Sequence, residues 1–398
     1  MPSQSITVER GDVSDVFVSS TPTLSLNLDG QVREMFDSLG DNLERLHCAR
    51  VFVSDAGYIE TVKRVTDELY GAGEGPVVSH IIAPPTNGTK VSMVGLGVDP
   101  RGSGEVTSEV IGDEFGNRGR IITYDGTEQI FLGDIVGDLN QGFVPQMQGA
   151  LENANKLIEK YGFNFLRDMV RTWFSITDIS ELREDNRTNY LDFNELARTP
   201  FLKRLGFKGQ FFASTGIGDG EYLDGRFGEF SLVAYKNDQG QVKFVPMDNP
   251  LQTPVYRYND GDEIDPEKKM VCFERGYMVI TPTVVLYFIS GTASIRANKE
   301  TGGPVKDQTI TTIENIGALL EAYDGRLSDI VSAVTYVRPE EDPAIVERVY
   351  SDKGMGPSDI AHLIVTNTIC YRPLNMETEA IAVVPRAEYD RRVAMRKK

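Results

Sequence analysis

LSDIVSAVTYV (Leu327–Val337) and LRDMVRTWFSI (Leu166–Ile176) carry Leu, Asp and Val at coincident positions. Outward from the first stretch, TVVLYFI (Thr283–Ile289) is a continuous apolar run and reads as a buried strand. Gly302, Gly303 and Pro304 then break the chain. From Lys306 to Leu320, Ile310, Ile313, Ile316, Leu319 and Leu320 mark one face of an amphipathic helix with Pro304 near its start. VSAVTYV (Val331–Val337) is β-branched and aromatic, a strand. Pro343 to Tyr350 reads as a second helix, and Leu363–Cys370 and Met376–Val384 as two closing strands around a turn at Pro373. The unit runs strand, helix, strand, helix, strand, strand.

The middle of the chain repeats it. Gln146 to Asn153 matches Gln308 to Asn315, and EFSLVAY (Glu229–Tyr235) is the expected last strand. A weaker copy opens the chain, with helix Glu34–Leu46, strand Cys48–Asp55 and helix Tyr58–Tyr70. VVSHIIAPP and TKVSMVGLGVDP then parallel LIVTNTICYRP and NMETEAIAVVP, which aligns Glu377 with Glu229 and Ser92. Repeats of ~100 residues are domain duplications. A sheet with helices on one side needs cover on the other. The expected fold is therefore α+β, with three units over residues 1–112, 113–258 and 259–398 packed as an internal pseudotrimer. Asp99–Glu114 and Asn259–Lys269 read as linkers.

The net charge of −18 argues against a nucleic-acid surface, which needs basic patches. No apolar run approaches the ~20 residues of a membrane span, and the N-terminus lacks a signal-peptide pattern. Cys48, Cys272 and Cys370 are too scattered for a disulfide framework or zinc site, so a reducing cytoplasm is the expected compartment. His47, His80 and His362 stand alone, without metal-ligand spacing, and read as structural. No metal or cofactor is expected. TGIGDGE (Thr215–Glu221) lacks a P-loop lysine and reads as a turn.

ISGTASI (Ile289–Ile295), Gln308, ENIGALLEA (Glu314–Ala322), AVTYV and ETEAIAVVP (Glu377–Pro385) together resemble the RidA/YjgF superfamily. The resemblance implies small-molecule clefts between neighbouring units, here within one chain. NPLQTPVYRY (Asn249–Tyr258), SGTAS (Ser290–Ser294), Cys370 seven residues before Glu377, and RTW (Arg171–Trp173) are similar to the chorismatases. That resemblance spans roughly Gln146 to Pro385 and implies hydrolysis of the enolpyruvyl ether of chorismate to pyruvate plus a cyclohexadiene diol or a hydroxybenzoate. The pattern departs from it at Phe174, at RANKETGG after SGTAS, and at Tyr371 before Arg372. A RidA-type imine/enamine deaminase would hold its substrate with an arginine on the penultimate strand, where this chain has Val365. A non-catalytic small-molecule-binding or assembly protein of the same fold is the third reading.

Glu377 and Glu379 lie two apart on a strand, so both face one side with Ile381 and Val383. A carboxyl among apolar neighbours favours its protonated form, which suits protonation of an enol ether. The resemblance implies that Glu377 is the acid; spacing alone does not choose between the two. A small anionic, chorismate-like molecule is the expected partner of a monomer with an internal pseudotrimer or a low-order homo-oligomer. Its carboxylates call for guanidinium forks, with Arg257 between Tyr256 and Tyr258, Arg372 and Arg171 as candidates. Gly291, Thr292, Ala293 and Ser294 could offer backbone N–H groups and hydroxyls, and Cys370 lies close in sequence to Glu377.

Overall fold

The computed structural model describes residues 3–100, 104–207, 211–236, 240–255 and 272–396. The first unit comprises β1 (Ser3–Arg10), β2 (Val13–Ser20), α1 (Leu28–Asp37), β3 (Leu46–Val53), α2 (Ile59–Tyr70), β4 (Val77–Ile82) and β5 (Val91–Pro100). The middle unit has β6 (Thr107–Gly112), β7 (Arg118–Tyr124), β8 (Thr127–Ile135), α3 (Phe143–Lys160) and β9 (Met169–Thr177). It continues through α4 (Asn189–Asp192), α5 (Thr199–Arg204), β10 (Ala213–Asp219) and β11 (Gly228–Lys236). The last unit opens with β12 (Lys243–Met247), β13 (Gly276–Ile280), β14 (Val284–Ala293) and a short ribbon, β15 (Ile295–Arg296) with β16 (Lys299–Glu300). It closes with α6 (Val305–Ala322), β17 (Ile330–Val337), α7 (Pro343–Ser351), β18 (Ala361–Thr366), β19 (Met376–Pro385) and α8 (Arg386–Arg396).

The three sheets share one topology. Their orders are β1-β2-β5-β3-β4, β7-β8-β11-β9-β10 and β13-β14-β19-β17-β18, with β6 and β12 added at the outer edges of the last two. In each, the penultimate strand pairs in parallel with the strand before the second helical segment, and the last strand inserts antiparallel between its neighbours. The fold is thus α+β and triplicated. Both edge strands pair across the expected unit boundaries: β6 joins β7 and β12 joins β13.

A glutamine shows how closely the copies correspond. Near the start of each long helix, buried Gln31, Gln146 and Gln308 accept through Oε1 from the N–H of Lys90, Phe227 and Asn375, each just before the last strand of its unit. Their amide nitrogens donate to the carbonyls of Leu26, Gly225 and Gly303. One side chain so ties the helix start to the closing strand in all three units. Only the second and third of these glutamines were matched from sequence.

Other expectations shift. The hairpin β1–β2 was not read from sequence, although SITVER and VSDVFVSS flank a tight turn at Gly11-Asp12. The helix expected over Glu34–Leu46 lies over Leu28–Asp37, because Asn27 caps it by accepting from the Gly30 N–H. Within TGIGDGE, Thr215–Asp219 lie in strand β10 rather than in a turn. Its glycines serve close approach: a Cβ at Gly218 would crowd Thr368 of the next unit, and the Gly218 N–H donates to Thr368 O at 2.8 Å. The Asn259–Lys269 linker lies outside the described residues.

Strand β14 explains the packing. Val285, Tyr287 and Ile289 enter the core beneath α6 and α7. Val284, Leu286 and Phe288 face the other way, into a central core shared with Phe17 of the first unit and Phe131 and Tyr235 of the middle one. The continuous apolar run follows from burial on both faces. Where the parallel strands end, the units are stitched by backbone bonds: Gly220 N–H to Ile82 O, Gly218 N–H to Thr368 O and Thr366 N–H to Pro84 O. These contacts close a ring around the pseudo-threefold axis.

Candidate functional site

Alternation on β19 sends Met376, Ala380, Ala382 and Val384 into the helix-side core. Glu377 and Glu379 therefore face inward, 5% and 4% exposed. Their surroundings differ sharply. Glu379 accepts from Tyr336 OH at 2.9 Å, Trp173 Nε1 at 2.7 Å and Thr215 Oγ1 at 2.6 Å, and is paired with Arg50 and Arg171. These partners come from all three units. Burial raises this carboxyl, but Arg50 and Arg171 and the hydrogen bonds outweigh it and hold it at about 2. Glu379 is an ionised keystone with its lone pairs spent.

Glu377 has no such cage. Burial, reinforced by the Glu379 charge and opposed by Arg171 and Arg275, pushes it up to about 8. Cys370 Sγ sits 4.0 Å from its Oε2, the thiol kept protonated by burial. Gly291, at a bulge of β14, leaves room for the carboxyl: a Cβ there would collide with Glu377 Oε1. The Gly291 N–H donates to Thr215 Oγ1 at 3.0 Å, fixing β14 against β10 of the middle unit.

Beside Glu377, between the middle and last units, lies a cavity of about 30 Å³, lined among others by Tyr190, Arg198, Gly216, Arg275, Ala293 and Cys370. Arg198 is the outstanding group. It is 3% exposed, packs over Phe174 and Phe212, and its Nε and Nη2 have no hydrogen-bond partner among the described residues. A guanidinium with this edge unspent is a ready fork for a carboxylate. Arg275 lines the same cavity and donates to Thr253 O at 3.3 Å.

Sequence reasoning missed both arginines. Arg198 sits in the π-helical turn Phe193–Arg198 between α4 and α5, where the other two units carry one plain helix, so the repeat alignment offered no counterpart. The cluster of aromatic residues and Arg within Asn189–Arg204 was the available signal.

The expected residues divide. Glu377, Gly291, Ala293 and Cys370 meet at the cavity. Thr292 and Ser294 turn away: Thr292 Oγ1 donates to Ser290 O, and Ser294 pairs with Thr301. Arg171 holds Glu379 rather than facing the cavity. Arg372 is exposed and donates to Ser180 O, because the turn after Cys370 carries it outward. Tyr256, Arg257 and Tyr258 lie outside the described residues. The position of a RidA-type substrate arginine is apolar in all three units, with Val365, Ile217 and Ile81 at matching places opposite Tyr336, Ser175 and Phe52. Among the described residues no group of three or more His, Cys, Asp or Glu could hold a metal, and no helix is long and apolar enough to cross a membrane. His362 is structural, bonded to Met355 O and Thr335, whereas His80 is paired with Asp134.

No family model matches the chain. It is similar to a RutC family protein of Pyrococcus abyssi, 35% identical over 99 residues that cover 24% of this chain and 77% of that one. A RutC family protein of Pyrococcus horikoshii is 34% identical over 99 residues, covering 24% of this chain and 76% of the relative. The crystal structure of a chorismatase superposes over 95% of this chain and 99% of its own, with a TM-score of 0.64 at 18% identity, a likeness of fold over the whole triplicated chain. By relatedness to the RutC proteins and by this architecture, the chain belongs to the RidA/YjgF superfamily, with a chorismatase-like fold.

Proposed function

We propose that this chain is a chorismatase-like hydrolase that cleaves the enolpyruvyl ether of chorismate or a related small cyclic carboxylate. The observation that carries the reading is the division of labour on β19: one buried carboxyl ionised and caged, its neighbour protonated at neutral pH beside a cavity with two arginines. In this reading Glu377 gives its proton to the terminal methylene carbon of the enolpyruvyl group. The resulting oxocarbenium ion takes up water, and the hemiketal collapses to pyruvate and the ring alcohol. The proton released from water returns to Glu377. General acid work of this kind contributes ~10²–10⁴ in rate.

Arg198 is the proposed clamp for one substrate carboxylate, and Arg275 supports the negative charge of the other. The cavity as it stands holds about one water, so a ring-sized carboxylate enters only when its walls part. The broken helical segment Asn189–Arg204, which takes the place of the single helices α2 and α7, is the wall that separates. Incubating the protein with chorismate and following pyruvate with lactate dehydrogenase tests the reading. Pyruvate release that disappears in Glu377→Gln is expected; no release from chorismate at any pH between 5 and 8 overturns it.

A further inference from the structure

The cleft between the first and middle units repeats the geometry of the Glu377 cleft. Register places Glu229 where Glu377 stands, Asp134 where Gly291 stands, and Ser79 where Thr215 stands. Glu229 is buried and, through burial and then the Asp134 charge, is also pushed up to about 8. Its Oε1 accepts from the Asp134 N–H at 3.3 Å. In front of this wall the cleft holds a cavity of about 410 Å³, far larger than the one beside Glu377.

Three of its groups are arranged for a ligand. His80 Nδ1 lies 2.6 Å from Asp134 Oδ2, so Asp134 orients the ring, and the buried His80 Nε2 has no hydrogen-bond partner among the described residues. Arg226 is 9% exposed; Asp224 takes its Nε and Nη2 edge. Among the described residues its Nη1 has no hydrogen-bond partner and pairs with Asp134 Oδ2 at 3.5 Å. At the mouth, Arg118 is exposed and makes no ion pair among the described residues, and Phe115 is 62% exposed. Val136 and Leu139 supply apolar wall. The carboxylates here are already engaged, so the unspent capacity is cationic donors plus one imidazole nitrogen that accepts when Nδ1 carries the proton.

We propose that this cleft is a second small-molecule site, fitted to a hydroxycarboxylate with an apolar body: carboxylate on Arg226 and Arg118, hydroxyl on His80, ring against Phe115 and Leu139. The site does not depend on the role of Glu377. It turns the degenerate copy of the cleft into a place for an effector or a second substrate while the chemistry stays in the other.

The probe is 3-hydroxybenzoate, with benzoate as the hydroxyl-free control, titrated calorimetrically into the full chain. A binding event that survives Arg198→Met and weakens at least tenfold in Arg226→Met and His80→Ala is expected. Benzoate should bind several-fold more weakly than 3-hydroxybenzoate to the parent protein and equally in His80→Ala. Arg118→Ser, at the surface, should weaken binding about threefold and keeps the test open if Arg226→Met does not fold. Binding lost in Arg198→Met but untouched by Arg118→Ser and His80→Ala, or no binding at all, overturns the proposal. Loss of pyruvate release alone leaves it standing.

Discussion

Glu377→Gln separates catalysis from stability in opposite directions. Gln keeps the shape that fits over Gly291 and loses only the proton donor. Without general acid help, pyruvate release should fall by ~10²–10⁴. Stability should respond with pH. Below the ordinary value of 4.5 the carboxyl is protonated in folded and unfolded chains alike. Between 4.5 and about 8 the folded chain still holds the proton and the unfolded chain has released it. The native state binds more protons in that window, so stability falls as pH rises, by about 1.4 kcal/mol per pH unit for this group. Gln carries no such slope. The variant should therefore match its parent near pH 4 and gain on it steadily toward pH 8. Urea unfolding at pH 4, 6 and 8, beside the coupled pyruvate assay, measures both. Parallel stability profiles would show that Glu377 is ionised in the folded chain, and activity above about a tenth of the parent would remove it as the acid.

Arg198→Met should raise the apparent KM for chorismate at least ~30-fold, about 2 kcal/mol of lost carboxylate binding, whereas Arg372→Met at the surface should leave kinetics unchanged; steady-state rates decide. Gly291→Ala pushes a methyl group into the Glu377 carboxyl and should cost ~1–3 kcal/mol of stability with loss of most activity, read by thermal unfolding and pyruvate release. Arg50→Met strips the buried Glu379 of a cation from another unit and should destabilise by ~3–5 kcal/mol, whereas Lys299→Met, on an exposed ribbon, should be neutral in denaturant titration.

The reading of β14, α6, β17, α7 and β19 from sequence succeeds because burial writes each into its residue pattern, as a continuous apolar run where both faces of a strand are covered and as a helical period where one face of a helix is. The first copy is harder: its helix start depends on the Asn27 cap and its hairpin on strands whose apolar residues are spaced by polar ones. The pairing of Gln308 with Gln146 was visible as identity at matched positions, and its reason, a bridge to the N–H before the closing strand, was not.

That Glu377 and Glu379 share a face follows from the two-residue period of a strand, a property of local backbone geometry that any stretch of sequence displays. Which of them keeps its proton does not. Arg50 reaches Glu379 from the first unit, and Arg171, Trp173 and Thr215 reach it from the middle one. Arg198, from a π-helical turn that breaks the middle unit's second helix, enters the cavity for the same reason. A carboxyl's protonation is a sum over charges and donors within a few ångströms, and here almost all of those arrive from far along the chain. Only the closure of three sheets around one axis brings them together.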